Sequence, residues 1–212
     1  MEHHQINSQK VSRETFSLVD EVIEKNSGQL ETYLDRLLWW NKKVNLVSRD
    51  VPRETVWEHI RHSLILTQLQ VFKEAESIVD SGTGGGLPGI PLAISAPDKQ
   101  FLLNDIVSKK IIAVRQILLK LSLTNAQAKA TSVEKLEFPT PFLLITKHAF
   151  KVNELWKMVK NKSWDAMVFY KGVDFEEELE GIDEPLDIRS FDLAEGGNFY
   201  EGKAIIVVKR TG

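Results

Sequence analysis

Apolar residues recur at helical spacing through the first third of the chain. In "QLETYLDRLLWW", Leu30, Tyr33, Leu34, Leu37 and Leu38 fall at i, i+3, i+4, i+7 and i+8 and form one stripe. The run "NKKVNLVSRD" interrupts it. Val56, Ile60, Leu64 and Leu66 then resume the spacing, with Pro52 suited to a helix start. From Ser77 the rhythm changes. The short runs "SIVD", "QFLLND", "PFLLIT" and "DAMVFYKG" read as buried strands and "AQAKATS" as a weaker one. Between them "GIPLAIS", "SKKIIAVRQILLKLSL" and "VNELWKMVKN" read as helices. "LDIRSFDL" and "KAIIVVKR" follow with no convincing helix between them, and are expected to pair as an antiparallel hairpin at the sheet edge. Alternating strands and helices predict an α/β fold, with a mostly parallel sheet covered on both faces. Residues 1–75 would be a helical N-terminal extension and 76–212 a Rossmann-like core, in one compact unit.

The pattern breaks most sharply at "IVDSGTGGGLPGIPLAI" (78–94), where glycines crowd between an apolar strand and an apolar helix. A strand, a glycine turn and a helix open a doubly wound nucleotide-binding sheet, whose ligands lie beyond the carboxyl ends of the strands. "GGGLPG" (84–89) matches the G-x-G-x-x-G of dinucleotide sites, a weak signal alone. Asp80 argues against that ligand, because a carboxylate beside the turn repels a pyrophosphate. S-adenosylmethionine carries a cationic sulfonium and an ammonium and no phosphate, so an acid there suits it. Asp105, closing the next strand, could accept bonds from ribose hydroxyls in either cofactor. The turn therefore favours a class I S-adenosylmethionine-dependent methyltransferase over a nicotinamide-dependent oxidoreductase.

Charge adds a class of partner. The net charge is −3, yet residues 174–187, "DFEEELEGIDEPLD", are acidic without a single base. Residues 36–49, 107–120 and 146–162 are locally basic. Three such segments point to a polyanion, with the acidic stretch turned away from it. No apolar run is long enough to span a membrane, and "MEHHQINSQK" has no basic start followed by an apolar stretch. A cytoplasmic monomer is expected.

Missing residues narrow the chemistry. The chain has no cysteine, which excludes thiolate metal sites and the cysteine attack that methylation of pyrimidine C5 needs. After "PFLLI" the chain reads "TKHAF", where many enzymes that methylate exocyclic amines carry Asn/Asp-Pro-Pro-aromatic. A ring nitrogen such as guanine N7 presents a free lone pair and needs no proton removed. Alignment and desolvation then suffice, with no catalytic acid or base. His59 and His62 lie three apart, but nothing supplies further ligands, so no metal is expected.

"WWNKKVNLVSR" (39–49), "DSGTGGGLPGIPLAI" (80–94), "VRQ" (114–116), "SVEKL" (132–136) and "TKHAFKVNEL" (146–155) together resemble a known family. It is the bacterial methyltransferases of guanine N7 in small-subunit ribosomal RNA, also called glucose-inhibited division protein B. The resemblance covers roughly residues 30–172. It implies S-adenosylmethionine contacts at Gly82, Leu87, Val133, Glu134 and Lys147, beside Asp80, Gly84 and Asp105 already singled out. It also implies ribosomal RNA or the small ribosomal subunit as partner. Asn41, beside Lys42 and Lys43, and Lys171 are candidate substrate contacts. Three positions depart from the family pattern: Lys147 for an Arg, His62 for an Asp and Ser132 for an Arg. A small-molecule methyltransferase and a non-catalytic RNA-binding module are the remaining alternatives.

Overall fold

A computed structural model describes residues 4–137 and 141–211. In chain order, the elements before the glycine turn are β1 (Gln5–Lys10), α1 (Arg13–Lys25), α2 (Ser27–Asn41), α3 (Arg53–Leu64), α4 (Gln70–Glu74) and β2 (Ser77–Ser81). After it come α5 (Gly89–Ser95), β3 (Gln100–Asp105), α6 (Ser108–Lys120), β4 (Ala126–Ala130) and β5 (Phe142–Lys147). The chain finishes with α7 (Val152–Val159), β6 (Trp164–Gly172), β7 (Leu186–Asp192) and β8 (Lys203–Arg210). All eight strands join one sheet in the order β1-β7-β8-β6-β5-β2-β3-β4. Every strand pairing is parallel except those made by β8, which runs antiparallel to β6 and to β7.

Successive residues of the central strands alternate between two cores, as a strand's period of two requires. Ile78, Leu143, Ile145 and Val168 face one core with α1, α2, α3, α5 and α6. Val79, Leu144, Met167 and Phe169 face the other, under α7 and the single turn Glu176–Leu179. Both faces are covered, which is why these strands are continuously apolar. The predicted stripe of α2 is buried at Leu30, Tyr33, Leu34 and Leu37, with Leu38 half-buried. Of the tandem tryptophans, Trp40 packs against the core, whereas Trp39 is exposed with the Lys43 ammonium 3.5 Å above its ring.

Two expectations need correction. Residues 5–10 form β1, a strand, within a segment expected to be helical; residues 1–3 lie outside the described residues. β1 is exposed throughout and is held by a parallel backbone ladder to β7, which Val11 N extends onto the Asp192 carbonyl. The C-terminal strands do pair antiparallel, but β1 covers the outer side of β7, so the hairpin is not the sheet's edge. One core runs from Val11 through α2 and α3 to Val207, so the N-terminal helices and the sheet share their packing.

Candidate active site

The order β5-β2-β3-β4 makes a topological switch point between β2 and β5, because the chain winds outward from β2 in both directions. Ligands of such sheets bind in the crevice beyond the strands' carboxyl ends at that point. A cleft of about 630 Å³ opens there. Its walls are the glycine turn after β2, Asn104–Val107 at the end of β3, Ser132 and Val133 after β4, and Lys147–Phe150 at the end of β5. Leu46, Val47, Ser48, Val51 and His59 close it from the helical layer.

Gly82, Gly84, Leu87, Asp105, Val133 and Lys147, all expected from sequence, line this cleft. Asp105 is held rigidly: Oδ1 accepts from Val107 N at 2.9 Å and Oδ2 from Gly84 N at 3.1 Å, with Lys110 Nζ 3.9 Å away. A carboxylate has lone pairs beyond those two bonds, so it can still accept hydroxyls from the cleft. Val133 serves both the core and the lining.

Asp80 is placed differently from expectation. It is fully buried beneath the turn and does not line the cleft. Its Oδ2 accepts from Thr83 Oγ1 at 2.6 Å and from Gly89 N, the first residue of α5, at 2.9 Å. Burial pushes its pKa up to about 7 against those two bonds. The argument against a pyrophosphate survives by another route. The turn amides of Gly82 and Thr83 donate to the Asn104 carbonyl, those of Gly86 and Leu87 to Thr83, and that of Ile90 to Gly86. Gly84 and Gly89 donate to Asp105 and Asp80. A phosphate site at such a turn needs free amides pointing at the ligand. These are already committed.

Lys147 is buried, and its ammonium donates to the His59 carbonyl at 2.8 Å and Ser63 Oγ at 3.4 Å, 5.3 Å from the Tyr170 ring centroid. Burial pulls its pKa down to about 7. It therefore ties β5 to α3. Glu134 is exposed and lies outside the lining; its carboxylate meets Ser132 Oγ at 3.1 Å. Asn41, expected on the substrate, is 6% exposed and folds its own loop. Its Oδ1 accepts from Leu46 N and Val47 N, and its Nδ2 donates to the Ser48 carbonyl. Lys171 is likewise committed, to an ion pair with Glu178 at 2.7 Å, and does not line the cleft. Asn and Lys look alike in sequence whether they face a ligand or bind their own chain, so only the fold separates the two.

Sequence reasoning missed Ile106, His148 and Phe150 as lining residues. Ile106 is 76% exposed directly after Asp105, an apolar side chain left open at the cleft mouth. His148 has φ +56°, a left-handed conformation that no pattern of apolar spacing reveals. Among the described residues no group of three or more His, Cys, Asp and Glu side chains could hold a metal, and no helix is long and apolar enough to cross a membrane.

His62 sits behind the cleft with no exposed surface, neither ring nitrogen bonded, edge-on to Tyr170 at 5.0 Å. Burial, with Lys147 and His148 nearby, pulls its pKa well below the usual histidine value. The native state thus keeps this ring neutral while the unfolded chain protonates it below about pH 6.5. The unfolded state binds the extra proton, so His62 costs stability as pH falls, by about 1.4 kcal/mol per pH unit. Asp80, whose native pKa is raised, pulls the other way over the same range. The His62 share is isolated by difference. In urea unfolding, the stability of the parent relative to His62→Phe is expected to rise with pH between about 5 and 6.5, by about 1.4 kcal/mol per pH unit, and to level off above about pH 7.

A family model described as rRNA small subunit methyltransferase G matches residues 26–196. The chain is 33% identical over 202 residues to the ribosomal RNA small subunit methyltransferase G of Chlorobium limicola, spanning 90% of this chain and 91% of that one. It is 40% identical over 142 residues to the protein of the same name from Chlorobium chlorochromatii, spanning 67% and 59%. An O-methyltransferase from Bacillus cereus solved in complex with SAH superposes with a TM-score of 0.56 at 16% identity, over 84% of this chain and 90% of that one. The S-adenosylmethionine-dependent methyltransferase SibL gives 0.58 at 11%, over 76% and 57%. Those two likenesses show a shared Rossmann-like α/β fold. By sequence along most of its length, and by a sheet of the class I methyltransferase type, the chain belongs to the rRNA small subunit methyltransferase G family.

Proposed function

We propose that this protein uses S-adenosylmethionine to methylate N7 of a guanine in small-subunit ribosomal RNA, acting in the cytoplasm as a monomer. One observation carries the reading: stretches of all three basic segments meet at one cleft, with Lys110 and Lys147 in its lining and seven of its turn amides already bonded. Leu46–Ser48 come from the first, Val107 and Lys110 from the second, and Lys147–Phe150 from the third. The acidic stretch 174–187 contributes nothing to the lining. An RNA backbone is attracted to such a rim. The relatives' names, which specify ribosomal RNA of the small subunit, support the same substrate.

The residues present fit the cofactor. Asp105 is poised to accept the ribose hydroxyls, with Ile106 and Val133 giving apolar flanks for an adenine. Gly82 and Gly84 leave bare backbone where the donor's amino-acid end would lie, and Leu87 closes the turn beside it. Glu134 follows Val133 in the same single turn and lies outside the lining. S-adenosylmethionine supplies an activated methyl group. The chain's part is to exclude water, align N7 and hold the charges. No side chain in the cleft is required to take a proton from N7, which carries none at neutral pH.

The decisive experiment incubates labelled S-adenosylmethionine with small-subunit particles, and with naked ribosomal RNA, from a strain lacking the protein. Label at one guanine N7, with transfer falling steeply as salt rises, is the expected result. Label on another atom, or tight NADH binding without S-adenosylhomocysteine binding, overturns the proposal.

A further inference from the structure

The cleft has two sides set by strand order. β3 and β4 lie to one side of the glycine turn and carry Asp105 and Val133; β5 lies to the other and ends in Lys147–Phe150. With the ribose taken on the β3 side, the acceptor must approach from the β5 side. His148 stands there. It has φ +56° and adjoins the turn so closely that a Cβ on Gly82 would meet Ala149 Cβ at 2.4 Å. A non-glycine residue in the left-handed region costs about 1 kcal/mol or more and persists where its surroundings over-determine it, often at functional sites. The residue is partly exposed, and no hydrogen bond to its ring nitrogens is made within the described residues. Its neighbours in the lining are occupied: Lys147 donates to α3, and the His59 ring packs edge-on to Phe199 at 5.2 Å.

We propose that His148 is a specificity-determining residue whose imidazole N–H donates to O6 of the target guanine. This rests on the guanine-N7 reading above. The major-groove edge of guanine offers two acceptors, N7 and O6. N7 must keep its lone pair free for the incoming methyl, so on that edge O6 is left for the protein to hold. Adenine carries an amine at that position, which a donor rejects. Alkylation of N7 releases no proton and leaves its positive charge on the purine. A cationic donor against O6 would oppose that charge, whereas a neutral one does not. Partial burial of the His148 ring, with the ammonium groups of Lys147, Lys171 and Lys203 around it, pulls its pKa down to about 4 and keeps it neutral at pH 7.

The test is a double cycle in variant and acceptor. Small-subunit particles are reconstituted with guanosine or 6-thioguanosine at the mapped position, sulfur being a weak acceptor. The variants are His148→Gly, which removes the donor and suits the left-handed backbone, and His148→Asn, which keeps a side-chain N–H and tolerates that backbone. In the parent, sulfur at position 6 is expected to lower kcat/KM about tenfold, the size of one hydrogen bond of about 1.4 kcal/mol. His148→Gly is expected to lose about tenfold on guanosine and less than twofold more on 6-thioguanosine, with His148→Asn recovering most of the loss. S-adenosylhomocysteine affinity should stay within twofold throughout. An equal sulfur penalty in parent and Gly variant overturns the proposal, as does unchanged guanosine activity or loss of S-adenosylhomocysteine binding in that variant. If the parent methylates guanine N7 yet the cycle is additive, only this inference fails; if the parent methylates another atom, the function reading fails with it.

Discussion

Gly82→Ala is expected to abolish methyl transfer and to cost about 2–4 kcal/mol of folding stability. Two independent strains meet at this position. Its φ of +72° lies in the left-handed region, where a side chain costs about 1–2 kcal/mol. An added Cβ would also lie 2.4 Å from Ala149 Cβ and 3.1 Å from Phe150 Cε2. Ala149 cannot rotate out of the way, because its Cβ is fixed to the backbone that follows β5. Relief must come from moving the turn or the 148–150 bend, and both are walls of the cleft. Denaturant unfolding and calorimetry with S-adenosylhomocysteine check the two parts. A variant that keeps parental stability and binding would show that the walls yield without consequence, contrary to the close contact described.

Most of the sheet was legible because its strands are buried on both faces and bounded by glycine, proline and acids. "QFLLND" and "KAIIVVKR" match β3 and β8 residue for residue, since each is an apolar run ended by polar groups. β1 was not legible: "QINSQK" buries no side chain and forms only through a backbone ladder to β7, which leaves no trace in apolar periodicity. The same divide runs through the site. Glycines and strand-end acids announce a cleft, and Gly82, Gly84 and Asp105 do line one. Side-chain direction is set by packing that no single sequence displays. Asp80 turned down to pin Thr83 and Gly89, Asn41 turned in to close its loop, and Lys171 found Glu178. His148 went unnoticed because its distinguishing property is a backbone angle.

Asp80→Asn is expected to leave the fold intact while weakening, about tenfold, the preference of the cleft for a charged over a neutral ligand. The carboxylate bonds Thr83 and Gly89 through Oδ2 alone, and its Oδ1 is buried without a partner. An asparagine carbonyl can take the Oδ2 position with both bonds kept, and the amide group then fills a place that is unpartnered already. Folding stability near pH 8 should therefore hold or rise, since a buried charge that burial disfavours has been removed. Ligand preference is another matter. S-adenosylmethionine differs from S-adenosylhomocysteine by the methyl and its positive charge, so the ratio of their affinities reads the field at the floor. An opposite charge one side-chain layer away contributes about 1–2 kcal/mol in a medium of effective dielectric about 20, so the ratio should fall about tenfold in the variant. The parent's ratio should also rise with pH through about 7, because two groups respond in the same sense. Asp80 gains its charge as pH passes about 7, and Lys147, its pKa pulled down by burial to about 7, loses its own. Both changes favour a cation, and the variant keeps only the Lys147 part. Calorimetry with the two ligands from pH 6 to 8.5 measures the slope. Equal losses for both ligands would mean that Asp80 acts through the shape of the turn alone, and an unchanged ratio would remove the electrostatic reason for an acid at this strand's end.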